Sequence, residues 1–315
     1  MHAHPVRFVT GILTCGLATL VIATVAIATC STYAADDGLK LEASVDKSRY
    51  VVGEPIYLTV ILKNAGASSV NVPEALNPQF GSIGIKINDP EGKDSSFVPL
   101  VVLDSDALPT PLLPGQVRGE VFPIFFGGSG WTFPAVGQYR VEARYGLPGG
   151  KEVTAESVAL EIVADAAGGT LIAPGRASGE AGRFLTWEAG DHLRAGIALL
   201  EGLLQKHPGS PVANYVYFAL GKSQTRFFRD YPAEKVRGPN YDKARQYLSK
   251  VNAAALPPYL RVQYEISQAR TDLATGNAEL ARLRLVESDK MIKERPELHV
   301  LQESVRRIAR EVLGH

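Results

Sequence analysis

Two hydrophobic periods divide the chain. From Leu41 onward apolar residues alternate with polar ones: Leu41, Ala43 and Val45; Ile56, Leu58, Val60 and Leu62; Ile83, Ile85 and Ile87; Tyr139, Val141, Ala143 and Tyr145; Val158, Leu160 and Ile162. Period two predicts strands buried on one face. Turn signals separate these runs at Val52-Gly53-Glu54-Pro55, Asn88-Asp89-Pro90-Glu91-Gly92, Leu113-Pro114-Gly115 and Leu147-Pro148-Gly149-Gly150. Roughly seven strands without a helical run predict an antiparallel β-sandwich over residues 36–165.

Over residues 183–315 the period lengthens to that of a helix. Tyr259, Val262, Ile266, Ala269 and Leu273 precede the turn Thr275-Gly276-Asn277, and Leu280, Ala281, Leu285 and Ser288 follow it. These steps of three and four predict a helical hairpin. Asp191 reads as the N-cap of a helix reaching Lys206. Leu298, Leu301, Val305, Ile308 and Val312 form a last stripe, with Arg306, Arg307 and Arg310 as the solvated face of a capping helix. Between the two patterns, residues 166–182 are rich in alanine and glycine and read as a linker. The expectation is therefore two domains, β then α, that fold independently and are separated by protease cleavage between Ala164 and Gly182.

Arg7 precedes an uncharged run from Phe8 to Ala35 that ends in small residues before Asp36-Asp37. Residues 1–34 thus read as a signal peptide cleaved after Ala34. The run is also long enough for an uncleaved membrane anchor, and Ile27-Ala28-Thr29-Cys30 resembles the lipobox of bacterial lipoproteins. Each reading places the remaining chain outside the cytoplasm, in the periplasm or beyond it, with membrane contact only through that anchor or lipid. Such a location excludes ATP-driven and nucleic-acid roles.

The net charge of zero hides a division: residues 36–165 carry 17 acidic and 10 basic side chains, and residues 166–315 carry 16 and 22. Both cysteines, Cys15 and Cys30, lie in the leader, which leaves the mature chain without a disulfide or a cysteine nucleophile. His192, His207, His299 and His315 contain no pair at ligand spacing, so no metal and no cofactor are expected. Gly127-Gly128-Ser129-Gly130-Trp131 lacks the second glycine of a hydrolase elbow. Gly149-Gly150-Lys151-Glu152 lacks the hydroxyl residue of a phosphate loop. Asp104-Ser105-Asp106 reads as a solvated acidic loop. No catalytic residue emerges, and the chain reads as a binding protein rather than an enzyme.

Two resemblances refine this picture. Gly137-Gln138-Tyr139-Arg140-Val141 resembles the tyrosine corner of immunoglobulin-like domains, although Val141 stands where antibody domains carry a cysteine. The helical half resembles the tetratricopeptide repeat family through Gly196, Leu200, Leu203 and Pro208, through Tyr217, Leu220 and Gly221, through Ala244, Leu248 and Val251, and through Ala269, Ala281, Leu285 and Ser288. Glu265 and Gln268 depart from the pattern, and an irregular α-bundle is the alternative. The resemblance implies a concave groove lined by Tyr215, Phe218, Lys222 and Thr225, with Gln263, Ile266, Arg270 and Leu273 as counterparts. A longer connection after Gly221 adds Arg226, Phe227 and Phe228 as a packed lid or a contact surface. Cations above aromatic residues suit an extended acidic peptide or a C-terminal carboxylate, so the implied partner is a protein. Alternatives are a structural subunit of an envelope assembly and an envelope hydrolase; the oligomeric state stays open.

Overall fold

The computed structural model describes residues 38–104, 108–147, 151–231 and 233–313. The leader, Ser105, Asp106, the turn at Pro148-Gly149-Gly150, Pro232 and the side chain of Val312 lie outside the described residues.

The first half consists of β1 (Leu39–Ser44), β2 (Arg49–Val51), β3 (Tyr57–Asn64), β4 (Val70–Val72), β5 (Ile83–Asn88), β6 (Asp94–Ser96), β7 (Thr110–Leu112), β8 (Val117–Pro123), β9 (Phe126–Gly127), β10 (Gly130–Trp131), β11 (Gly137–Gly146), β12 (Glu152–Thr154) and β13 (Val158–Val163). One antiparallel sheet has the order β1-β3-β8. The second has the order β2-β13-β11-β5-β6 with β12 beside β11, and it is mixed because β13 pairs in parallel with β2. Two small ribbons, β4 with β7 and β9 with β10, complete the half. More strands occur than the alternation predicts because several span only two or three residues, too few for a period to register. Along β11 the alternation is plain: Tyr139, Val141, Ala143 and Tyr145 are buried. Tyr139 also bonds locally, its Oη donating to the Ala135 carbonyl at 3.1 Å and accepting the Ala135 N–H at the same distance.

Helices follow: α1 (Ala166–Ile172), α2 (Arg176–Trp187), α3 (Arg194–Lys206) and α4 (Pro211–Gln224). A small hairpin, β14 (Phe228–Asp230) with β15 (Lys235–Arg237), interrupts them before α5 (Tyr241–Leu248), α6 (Pro258–Ala274), α7 (Ala278–Lys293) and α8 (Gln302–Leu313). Helices α2 and α3, α4 and α5, and α6 and α7 pack as consecutive pairs, and α8 lies against the last pair. Gly276, in the left-handed region at φ 83°, turns the chain between α6 and α7. Leu298, Leu301, Val305 and Ile308 bury their side chains, as the last stripe predicts. Among the described residues no helix is long and apolar enough to cross a membrane.

The expected linker is a correction: Ala166–Ile172 form α1 and residues 176–182 the first half of α2, with only residues 173–175 between them. Asp165 caps α1, accepting the Gly168 N–H at 3.0 Å, and also accepts the Ser210 hydroxyl at 2.9 Å. The small residues that suggest slackness instead permit close approach. A methyl group on Gly182 would lie 2.2 Å from the Phe126 ring, and one on Gly196 would lie 2.4 Å from the Ala181 nitrogen. Likewise a methyl on Gly168 would meet the Val52 carbonyl at 1.6 Å. The halves are consequently joined by a shared apolar core. Across it the Tyr57 and Tyr259 rings stand 5.8 Å apart, and the Trp131 indole N–H donates to Ser178 at 2.9 Å. The joint is helical and packed on either side of Ala173, Pro174 and Gly175, which stand exposed between the two helices, and the shared core favours one folding unit over two.

Three further boundaries differ. Helix α3 begins at Arg194 rather than after Asp191, because the Asp191 carboxylate is engaged by Arg237 of the β14–β15 hairpin. Spacing that continues from Val212 to Phe228 reads as one helix, but α4 stops at Gln224, where Thr225 turns its N–H back to the Lys222 and Ser223 carbonyls. The long connection after Gly221 is therefore an ordered hairpin, held by Arg237 donating to the carbonyls of Ser223 and Gly238 at 3.1 and 3.0 Å.

Candidate functional site

Helices α4, α6 and α8 enclose a cleft of about 540 Å³. Lys222 and, just past its end, Thr225 and Arg226 come from α4; Gln263, Ile266 and Arg270 come from α6. Leu301, Ser304, Arg307 and Glu311 enter from α8 and the turn before it, and Phe227 and Tyr241 close the rim. Steps of three and four place each helix's contribution on one face, so the lining follows from helical geometry once the helices are neighbours.

The cations in this cleft have unlike surroundings. Lys222 is 5% exposed, and its ammonium is paired with the Glu188 carboxylate. The Phe218 ring centre lies 5.5 Å from that ammonium. Burial pushes the Lys222 amine down to about 8, against the opposing pull of Glu188. Glu188 ends α2 in the left-handed region at φ 51°, and Arg226 reaches its carboxylate at 4.0 Å. Arg270 is half-buried, and among the described residues no carboxylate forms an ion pair with it. Burial lowers its affinity for the proton, and the nearby charges of Arg226 and Arg307 act in the same direction, with Glu311 in opposition.

Of the residues the sequence singles out, Lys222, Arg226, Phe227 and Arg270 meet at this cleft, together with Thr225, Gln263 and Ile266. Tyr215 does not: it is 3% exposed and lines the joint beside Glu54 of the first half, with burial holding its hydroxyl far above the usual phenol range. Phe218 is core rather than groove floor, at 1% exposure, and Leu273 lies outside the lining. Phe228 stacks on His192, with centroids 5.8 Å apart and planes 17° from parallel, and leaves the contact role to the exposed Phe227. Lys222 itself is a correction, since a buried ion pair holds the ammonium that the sequence places free in a groove.

The sequence alone marks neither Arg307 nor Glu311 as a site residue, and Arg307 lies on what reads as a solvated face. Their spacing from Leu301 and Ser304 is helical, so the signal exists, but only the docking of α8 beside α6 gives it meaning. Glu188 carries no local signal at all.

Neither a family model nor a curated protein matches the chain. Weak similarities to solved structures exist. A sporulation control protein, Spo0M, from Bacillus subtilis shares 14% identity at a TM-score of 0.28, covering 43% of this chain and 53% of that one. A CARDB domain from Pyrococcus furiosus, solved with di-metal ions, shares 16% identity at a TM-score of 0.23, covering 40% and 87%. The alkylpurine DNA glycosylase AlkC from Pseudomonas fluorescens shares 14% identity at a TM-score of 0.28, covering 41% and 31%. The chain thus spans about half the length of the sporulation protein, and at these TM-scores none of the three carries an argument about fold or function.

Proposed function

We propose that the chain is a non-catalytic interaction module of the cell envelope, exported by its leader, whose basic cleft holds an acidic or C-terminal segment of an extended protein partner. The observation that carries this reading is Arg270, half-buried without an ion-pair partner among the described residues and near Arg226 and Arg307, with Glu311 in the same lining as the one opposing charge. A guanidinium withdrawn from water without a partner is costly, and a ligand carboxylate offsets that cost through charge-assisted bonds. The planar fork of arginine suits a carboxylate in particular.

The finer architecture belongs to the same proposal. An immunoglobulin-like sandwich in the first half is supported by the local bonding of Tyr139 to Ala135. A tetratricopeptide-like stack is supported by the consecutive helix pairs and by small residues at their contacts, since a methyl on Gly221 would lie 2.7 Å from Leu248 and Ala269 and Ala281 are fully buried.

The test uses fluorescence anisotropy with a glutamate-rich peptide bearing either a free or an amidated C-terminus. Arg270→Ala should weaken binding about tenfold, the loss of one charge-assisted contact, and wild-type affinity should fall with added salt. Equal binding by both proteins overturns the reading. A second reading, a permanent subunit of an envelope assembly, is favoured by Leu280, Leu283 and Val286, which stand exposed at steps of three along α7. A stoichiometric partner retained through purification from native envelopes would support it over the first.

A further inference from the structure

A second cavity, independent of the basic cleft, lies where the two halves meet. It measures about 310 Å³, and its walls include Phe80, Phe97, Phe122, Trp187 and Tyr259. Phe80 and Trp187, at 37% and 39% exposure, stand at its edge. No lysine or arginine is among its described lining residues, and its one carboxylate is Glu120.

Glu120 enters this cavity from β8, opposite Val60 of β3. One carboxylate oxygen accepts the Asn77 side-chain amide at 2.8 Å and the other accepts the Leu76 N–H at 2.8 Å. These neutral donors orient the group without cancelling its charge. Among the described residues no cation forms an ion pair with Glu120, and burial pushes its carboxyl above the usual carboxylate range. Aromatic walls suit a cation, because the ring quadrupole presents electron density above each plane to a charge that stacks on it.

From this geometry we infer that the junction pocket binds an organic cation, an alkylammonium or guanidinium head whose charge faces Glu120 and whose carbon surface lies against Trp187 and Phe80. An acyl chain would leave the carboxylate buried against hydrocarbon, and a neutral sugar would leave its charge uncompensated. A divalent metal ion needs more oxygen ligands than one carboxylate provides. The head group can belong to a free small amine or to a lysine or arginine side chain of a partner, since both present the same chemistry.

Trp187 serves as the reporter, and Trp131, the chain's other tryptophan, is engaged with Ser178. Choline chloride should produce a saturable change in tryptophan fluorescence that sodium chloride at equal ionic strength does not. The change should vanish in Trp187→Phe, which keeps an aromatic wall but removes the reporter. By calorimetry Glu120→Gln should weaken choline at least about tenfold, the scale of one lost charge contact. Trp187→Ala, which leaves the carboxylate and its two donors in place, should weaken it as well and serves if Glu120→Gln fails to fold. Tighter binding of a lysine-containing peptide than of choline would assign the site to a partner side chain, and the reverse order to a free amine. Choline behaving as sodium chloride does, unchanged affinity in both variants, or equal saturation by a neutral disaccharide would overturn the inference.

Discussion

In the helical half, Arg226, Arg270 and Arg307 converge with Glu311 on a cleft where, among the described residues, no carboxylate forms an ion pair with Arg270. At the junction of the halves, Glu120 stands among aromatic rings without a cation. Other partly buried charges are matched within the chain, as where Arg284 holds both Glu265 and Asp272 and Lys47 holds Glu54 at 2.5 Å. The contrast separates charges that complete the packing from charges that face an opening, and the two proposals take the sign left over in each opening as the guide to a ligand. The two openings also differ in construction. One lies within a set of helices, so its lining repeats at helical spacing, whereas the other needs both halves and has no repeating signature.

The largest test of this division is Lys222→Met, which would leave Glu188 buried without its ammonium. Breaking a buried pair in this way should cost about 3–5 kcal/mol in urea denaturation. A loss below about 1 kcal/mol, the scale of a surface pair, would move Lys222 from the packed charges to the open ones. Gly182→Ala acts on the joint instead, pressing a methyl into the Phe126 ring that also lines the junction pocket. Overpacking should cost about 1–3 kcal/mol and weaken choline binding while acidic-peptide binding holds; equal weakening of both would show that the two sites are one unit. Arg270→Ala should lower peptide affinity about tenfold, near 1.4 kcal/mol, yet leave the urea midpoint level or raised, since it removes an unpaired, partly desolvated cation. A drop in that midpoint would mean that Arg270 is structural.

The smallest effect concerns Glu120 and pH. Burial raises its folded carboxyl above the unfolded value, so on acidification the folded state takes up the proton first. Its contribution to stability therefore grows as pH falls through the folded value toward the ordinary carboxylate range. Glu120→Gln cannot titrate and turns an amide N–H toward one of the two donors that Glu120 accepts, so the comparison is of pH dependence: wild type should gain stability relative to the variant on acidification, by under about 1 kcal/mol after allowance for partial exposure. Comparing urea midpoints at neutral pH and near the carboxylate range checks the sign, and a wild type that loses stability relative to the variant on acidification would mean that a neighbour already holds Glu120 ionised.

Periodicity by itself determined the order of the chain, strands before helices, along with the α6–α7 hairpin around Gly276 and the last apolar stripe. These follow from forces within an element, which neighbours in sequence report faithfully. The repeat resemblance added Lys222 and Arg270, and the longer connection after Gly221 added Arg226 and Phe227. Tertiary structure alone decided the rest. The glycines and alanines of residues 166–182 have the same composition whether a segment is slack or tightly packed, and Phe126 and Val52, distant in sequence, settle which. In the same way Glu188 turned Lys222 into a packed pair, Glu54 drew Tyr215 to the joint, and α8 brought Arg307 from a solvated face to the cleft. Charge pairing and burial depend on distances between elements, and such distances leave no mark on the period of either one.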